Sequence, residues 1–219
     1  PVFDRRVFLK TCTNGSSELM TNLSMSLVNA LYNLQLMKIA GENGVAAYGA
    51  VMYVNFIFVA TFLGYAIGCA PVISYHYGAG NHAELKNLYK KSMSIILVWG
   101  VILFGAAQLL APVLSKIFVG YNTGLYAMTL HGFRVYAIAF LIIGINIFGS
   151  SFFTALNNGL ISAVISFLRT LVFQVIMVLT LPLWFGINGI WSAISVAEAL
   201  TLIMTTTFFV RQKDKYHYL

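Results

Sequence analysis

Five polar residues, Glu18, Asn22, Ser26, Asn29 and Asn33, recur four, four, three and four positions apart in an otherwise apolar stretch. At helical periodicity this spacing lays them along one narrow face. Side chains of this kind can serve two ends in a helix surrounded by lipid. They can hydrogen-bond neighbouring helices, as small polar groups often do. They can also line a solvated passage, because lipid itself offers them no partner. Asn22, Ser26, Asn29 and Asn33, with Asn146 further along, are the candidate lining of such a passage. Glu18 is the one acid on the stripe. It suits a proton or cation site, and equally a solvated helix start.

Two more charges sit deep within apolar runs. Arg169 and Glu198 lie about 16 and 12 residues from the turn near Phe185–Gly186, or roughly 24 and 18 Å by helical rise. In an antiparallel hairpin these depths are similar, and an unpaired charge there is costly. The spacing therefore predicts an interhelical ion pair. Arg134, near the start of its own span, is expected to snorkel to the interface.

Other chemistries find no support. His76, His82, His131 and His217 are dispersed, without metal-ligand spacing. Cys12 and Cys69 suggest neither a disulfide framework nor a metal cluster. There is no Gly-x-x-x-x-Gly-Lys phosphate loop and no nucleophile with its base, so neither an enzyme nor a resident metal or cofactor is expected. Met20, Met25, Met37 and Met52 suit an adaptable apolar surface or ordinary packing.

The elements that must hold these residues are membrane helices. Hydrophobic residues make up 59% of the 219 and charged residues 9%, against roughly 25% charged in soluble domains. Residues 43–83 contain no Asp, Glu, Lys or Arg, a run too long for a soluble core helix. The pattern predicts an all-α polytopic lobe of six spans, about 14–37, 45–77, 92–110, 129–154, 160–181 and 190–210. Pro71, with Gly64 and Gly68, is expected to bend the second span, and Gly64-x-x-x-Gly68 to admit a close helix neighbour. Ala111-Pro112 and Pro182 are expected to end the third and fifth spans. Asn81 and Glu84 have the spacing of a capping box.

Charge sets the topology. Nine of the 13 basic residues fall on a lead-in (1–13), the 81–91 connection and a tail (211–219), which six spans place on one side; only Lys38 and Lys116 face the other. Both ends are thus expected in the cytoplasm. Basic residues distributed between apolar runs in this way also argue against a nucleic-acid partner. The chain opens Pro-Val-Phe-Asp-Arg-Arg, unlike a signal peptide, and is expected to be a fragment of a larger transporter.

Five ordered stretches carry a resemblance: Asn14-Gly15-Ser16-Ser17-Glu18-Leu19, Ala40-Gly41-Glu42-Asn43-Gly44-Val45-Ala46-Ala47-Tyr48, Leu63-Gly64-Tyr65-Ala66-Ile67-Gly68-Cys69-Ala70-Pro71, Tyr75-His76-Tyr77-Gly78-Ala79-Gly80-Asn81 and Phe185-Gly186-Ile187-Asn188-Gly189-Ile190-Trp191. In these the chain resembles the carboxy-terminal half of bacterial multidrug and toxic compound extrusion (MATE) transporters. The resemblance implies one six-helix lobe of a twelve-helix protein, facing an amino-terminal lobe missing from this chain across a cavity that alternates between the two sides. It also implies export of small cationic or amphipathic compounds in exchange for protons or sodium. Sodium-coupled relatives carry carboxylates midway along the helices equivalent to the first and fourth spans. Here those middles hold Met25, Asn29, Gly144 and Asn146, which moves the expected coupling acid to the other lobe. Two other readings remain: a flippase for lipid-linked precursors or polysaccharides on a related architecture, and a membrane assembly subunit that transports nothing.

Overall fold

The computed structural model of the chain describes the backbone of residues 5–218, and the side chains of Arg5 and of residues 22–218. The described residues form helices α1 (Arg5–Gly78), α2 (His82–Val119), α3 (Thr123–Tyr136), α4 (Phe140–Ala155), α5 (Gly159–Phe167), α6 (Gln174–Phe185) and α7 (Ile187–Tyr216). A 3₁₀ turn, Ala137–Ala139, joins α3 to α4, and a π-helical segment, Leu168–Phe173, joins α5 to α6. Among the described residues five helical stretches are long and apolar enough to cross a bilayer: Asn22–Gly78, His82–Val119, Thr123–Ala155, Gly159–Phe185 and Ile187–Tyr216.

The count of five differs from the expected six because the first two expected spans both lie within α1. Its backbone leaves helical geometry at Gly41, with φ 62° and ψ −153°, a combination open essentially to glycine alone. The chain turns back there. The Tyr48 hydroxyl reaches Asn29 Oδ1 at 3.0 Å across 19 residues, whereas a straight helix would hold them roughly 28 Å apart. Backbone angles stay helical through Gly64, Gly68 and Pro71, so the sharp change of direction lies at Gly41. A Cβ at Gly64 or Gly68 would meet nothing within 4 Å, so neither admits a close neighbour within this lobe.

Two prolines expected to end spans do not. α2 runs on through Pro112 to Val119 and takes in Lys116, and α6 continues past Pro182 to Phe185. A proline removes one intrahelical donor, and in membrane helices the freed carbonyl is readily satisfied by local adjustment. Helix starts are marked instead by asparagines. Asn81, Asn122 and Asn158 accept from the backbone N–H of Glu84, Leu125 and Ile161, filling donors that the first turn leaves open. The capping box is half formed: Glu84 Oε1 accepts from Asn87 Nδ2.

The stretch Thr123–Ala155 is the central one. Of its most apolar window 67% is buried, against 17–33% for the other four. Phe140, Phe148, Phe152 and Phe153 are all fully enclosed, and α4 touches α1, α2, α5 and α7. Lipid is as apolar as these side chains, so close packing rather than water exclusion holds the centre together. Gly144 makes that packing possible: a Cβ there would collide with the Phe62 ring and the Ile96 side chain.

Candidate functional site

Turning the chain at Gly41 lays Asn29, on the first limb of α1, against Tyr48 on the second. Tyr32 and Tyr48 stack with ring centroids 5.1 Å apart and planes 7° from parallel. Tyr48 donates to Asn29, and the Tyr32 hydroxyl donates to Gln174 Oε1 at 3.1 Å, tying the hairpin to α6. Beside the stacked rings opens a groove of about 310 Å³, lined among others by Asn29, Asn33, Tyr48, Met52, Tyr53 and Phe56. It has an aromatic wall, one flexible thioether and amide groups. That mixture suits an amphipathic solute, whose rings can stack while its polar end meets the amides.

The two readings of the stripe divide residue by residue. Asn29 is half-buried and makes the interhelical bond to Tyr48. Asn22, Ser26 and Asn33 are exposed. Ser26 donates to Asn22 O and Asn33 donates through Nδ2 to Asn29 O, both back onto their own helix. Their remaining acceptor capacity faces outward. Glu18 lies outside the described side chains.

Asn146 does not join this surface. It is fully buried and donates through Nδ2 to Glu198, to the backbone oxygen at 2.9 Å and to Oε2 at 2.7 Å. Its expected place in the cavity lining is therefore corrected to the interior of the lobe. The reason is its position on α4, the most enclosed helix. There it meets the pair formed by Arg169 Nε with Glu198 Oε1 at 2.8 Å and Oε2 at 3.1 Å. Glu198 is 1% exposed and the Arg169 side chain 19%. The carboxylate thus receives an amide and a guanidinium, so its burial carries no net charge. Arg169 is presented by the π-helical segment, a wide turn often found where a membrane helix is adapted to a task.

Sequence spacing missed Tyr32, Tyr48 and Gln174. Tyr32 follows Asn29 by three positions and so shares its side of the helix, a signal that was available. Gln174 stands alone in an apolar run, and only the fold reveals its partner. Arg134 is exposed, and its backbone oxygen accepts from Gln108 Nε2. His82 and His217, distant in sequence, bring their rings to 4.9 Å. No group of three potential metal ligands occurs among the described residues. A second hollow, about 230 Å³ between α1 and α2, is lined chiefly by apolar side chains such as Phe62, Ile96 and Trp99.

Apolar spanning helices around a closed core, with one polar and aromatic face left open, define a multi-pass membrane protein. The MatE family profile matches residues 19–180, and the chain belongs to that family. No curated protein matches. Among solved structures, an outward-facing multidrug resistance MATE family transporter of the MOP superfamily superposes with a TM-score of 0.88 at 20% identity, over 98% of this chain and 48% of its own. A MATE structure in the straight conformation gives 0.89 at 19% identity, over 100% and 49%. A MOP superfamily transporter from Pyrococcus furiosus, described as having a binding pocket of reverse polarity that suggests a different function, gives 0.86 at 20%, over 96% and 48%. The chain thus spans about half the length of the structures it matches, and those named as transporters carry solutes rather than catalyse reactions.

Proposed function

We propose that this chain is the carboxy-terminal lobe of a multidrug efflux antiporter that works by alternating access, coupled to protons or sodium. Supporting this reading is the groove beside the Tyr32–Tyr48 stack, which offers aromatic faces and amides. Its substrates are then small cationic or amphipathic compounds, and its other wall comes from an amino-terminal lobe that also carries the coupling acid. The reversal at Gly41 supports counting six crossings, with both ends in the cytoplasm of a bacterial inner membrane.

The lining contains no Arg or Lys, which disfavours a flippase that must hold phosphate. The test is transport by the full-length gene product in liposomes loaded with a cationic dye. An inward proton or sodium gradient should drive dye movement, and Asn33→Leu and Tyr48→Leu should slow it about tenfold by removing groove contacts. Movement of a lipid-linked phosphate in place of the dye would make it a flippase. Full tolerance of Asn-to-Leu changes at positions 22, 29 and 33, with no movement of either solute, would make it an assembly subunit.

A further inference from the structure

After α7 the chain reverses at His217, whose φ of 55° lies in the left-handed region, and carries Tyr218 back into the protein. Tyr218 is fully buried, and its hydroxyl donates to Phe209 O at 2.9 Å. Its ring meets Phe152 at 4.9 Å and Tyr89 at 5.1 Å. Burial pushes the phenol above its ordinary pKa, so it remains a neutral donor. Beside it, Tyr216 accepts from Asn158 Nδ2 at 2.9 Å and packs edge-on against Tyr77 at 5.6 Å. The His217 ring reaches His82. One short hook therefore fastens the end of α1, the start of α2, the α4–α5 turn and the end of α7.

Fastening these ends brings two basic clusters together. His82, Lys86 and Lys90 follow one another at four-residue steps along the first turns of α2, with Lys91 adjoining. Arg211, Lys213 and Lys215 occupy the last turns of α7. All six lysine and arginine side chains are exposed, and among the described residues the one ion pair lies elsewhere, between Arg169 and Glu198. Nearby acids are Glu84, engaged by Asn87, and the exposed Asp214. The cations stand where membrane-crossing helices stop, spread over a surface rather than gathered in a pocket. An extended anionic plane fits that shape better than a single small anion does.

We propose that this end of the lobe docks on anionic phospholipid headgroups, and that the Tyr216–Tyr218 hook builds the surface by holding the two basic clusters side by side. The inference needs only a membrane-embedded lobe, so it stands or falls separately from the transport reading. The probes are short-chain phosphatidylglycerol and phosphatidylcholine of equal chain length, titrated into the full-length gene product in neutral detergent. Each lysine near an anionic surface is worth on the order of fivefold in binding, so phosphatidylglycerol should bind at least about tenfold tighter. K86Q/K90Q/K91Q combined with R211Q/K213Q/K215Q should abolish that preference. Tyr218→Ala, with every cation intact, should reduce it several-fold. If the six-residue variant fails to fold, about 1 M NaCl on the unaltered protein should remove the preference by screening. Equal binding of the two lipids, or a preference that survives both neutralisation and salt, overturns the proposal. Saturation by glycerol 3-phosphate at the concentration that suffices for phosphatidylglycerol overturns the lipid assignment. An unchanged preference in Tyr218→Ala overturns the role of the hook.

Discussion

Removing either half of the Arg169–Glu198 pair should have unequal effects, because the two partners are not equally enclosed. Arg169→Met leaves a carboxylate that is 1% exposed, with only the Asn146 amide to compensate it. Breaking a buried pair in this way costs about 3–5 kcal/mol. Glu198→Gln leaves a guanidinium whose side chain is 19% exposed and can turn toward water, while Asn146 keeps the Glu198 backbone oxygen. That loss should be smaller, about 1–3 kcal/mol. The double neutral variant Arg169→Met with Glu198→Met leaves no charge behind and should recover most of the loss. The charge-swapped pair, Arg169→Glu with Glu198→Arg, should rescue in part. The assay is thermal unfolding of the full-length protein in detergent, arranged as a double-mutant cycle. At about 1–2 °C per kcal/mol in a protein of the proposed double length, Arg169→Met should lower the midpoint by about 3–10 °C. Glu198→Gln proving as damaging as Arg169→Met would refute the burial argument. A double variant no better than the worse single would refute the pairing.

Three further outcomes are expected. Gly41→Val should destabilise by about 1–3 kcal/mol, because its φ and ψ exclude a β-branched residue, and should loosen the Tyr32–Tyr48 contact, measurable as cross-linking between cysteines placed across the hairpin. Gln174→Leu strips the Tyr32 hydroxyl of its partner and should cost about 1–3 kcal/mol, whereas the pair Gln174→Leu with Tyr32→Phe should restore much of it in the same unfolding assay. The hook should weaken in alkali. The Tyr218 phenol has a raised pKa when folded, so its contribution is complete below the unfolded value, about pH 10, and declines as pH climbs above it. Protease cleavage after residue 211 should become faster there in the native protein and not in Tyr218→Phe, which has no proton to lose.

Much of the architecture could be read from residue order, and the reasons differ by element. Helices surrounded by lipid must satisfy every backbone group internally, so long apolar runs leave little choice. The Arg169–Glu198 contact was equally legible, since two charges at matched depth flanking one turn have few other partners. Prolines were poor guides: Pro112 and Pro182 remain inside helices, because one missing donor is a small perturbation in a long hydrogen-bonded rod. Asn146 was misplaced for a different reason. Its polarity was visible, but whether it faced outward or inward depended on α4 being the centre of the lobe, and composition says nothing about which helix is central. The aromatic hook was illegible because it joins Tyr218 to Tyr89 and Phe152, residues far apart in the chain whose meeting only the packing decides.

The π-helical segment at Leu168–Phe173 also fixes a rotational phase. Such a turn accommodates one residue more than an α-helix would. Tightening that turn into regular α-helix, with every residue kept, would remove no hydrogen-bonding side chain. It would nevertheless swing everything beyond by roughly 100° about the helix axis. Gln174 would then point away from Tyr32, and the apolar flank of α6 would present a different set of side chains to α7. A loss of this kind would look like a chemical defect at the groove while leaving every polar residue of the groove in the chain.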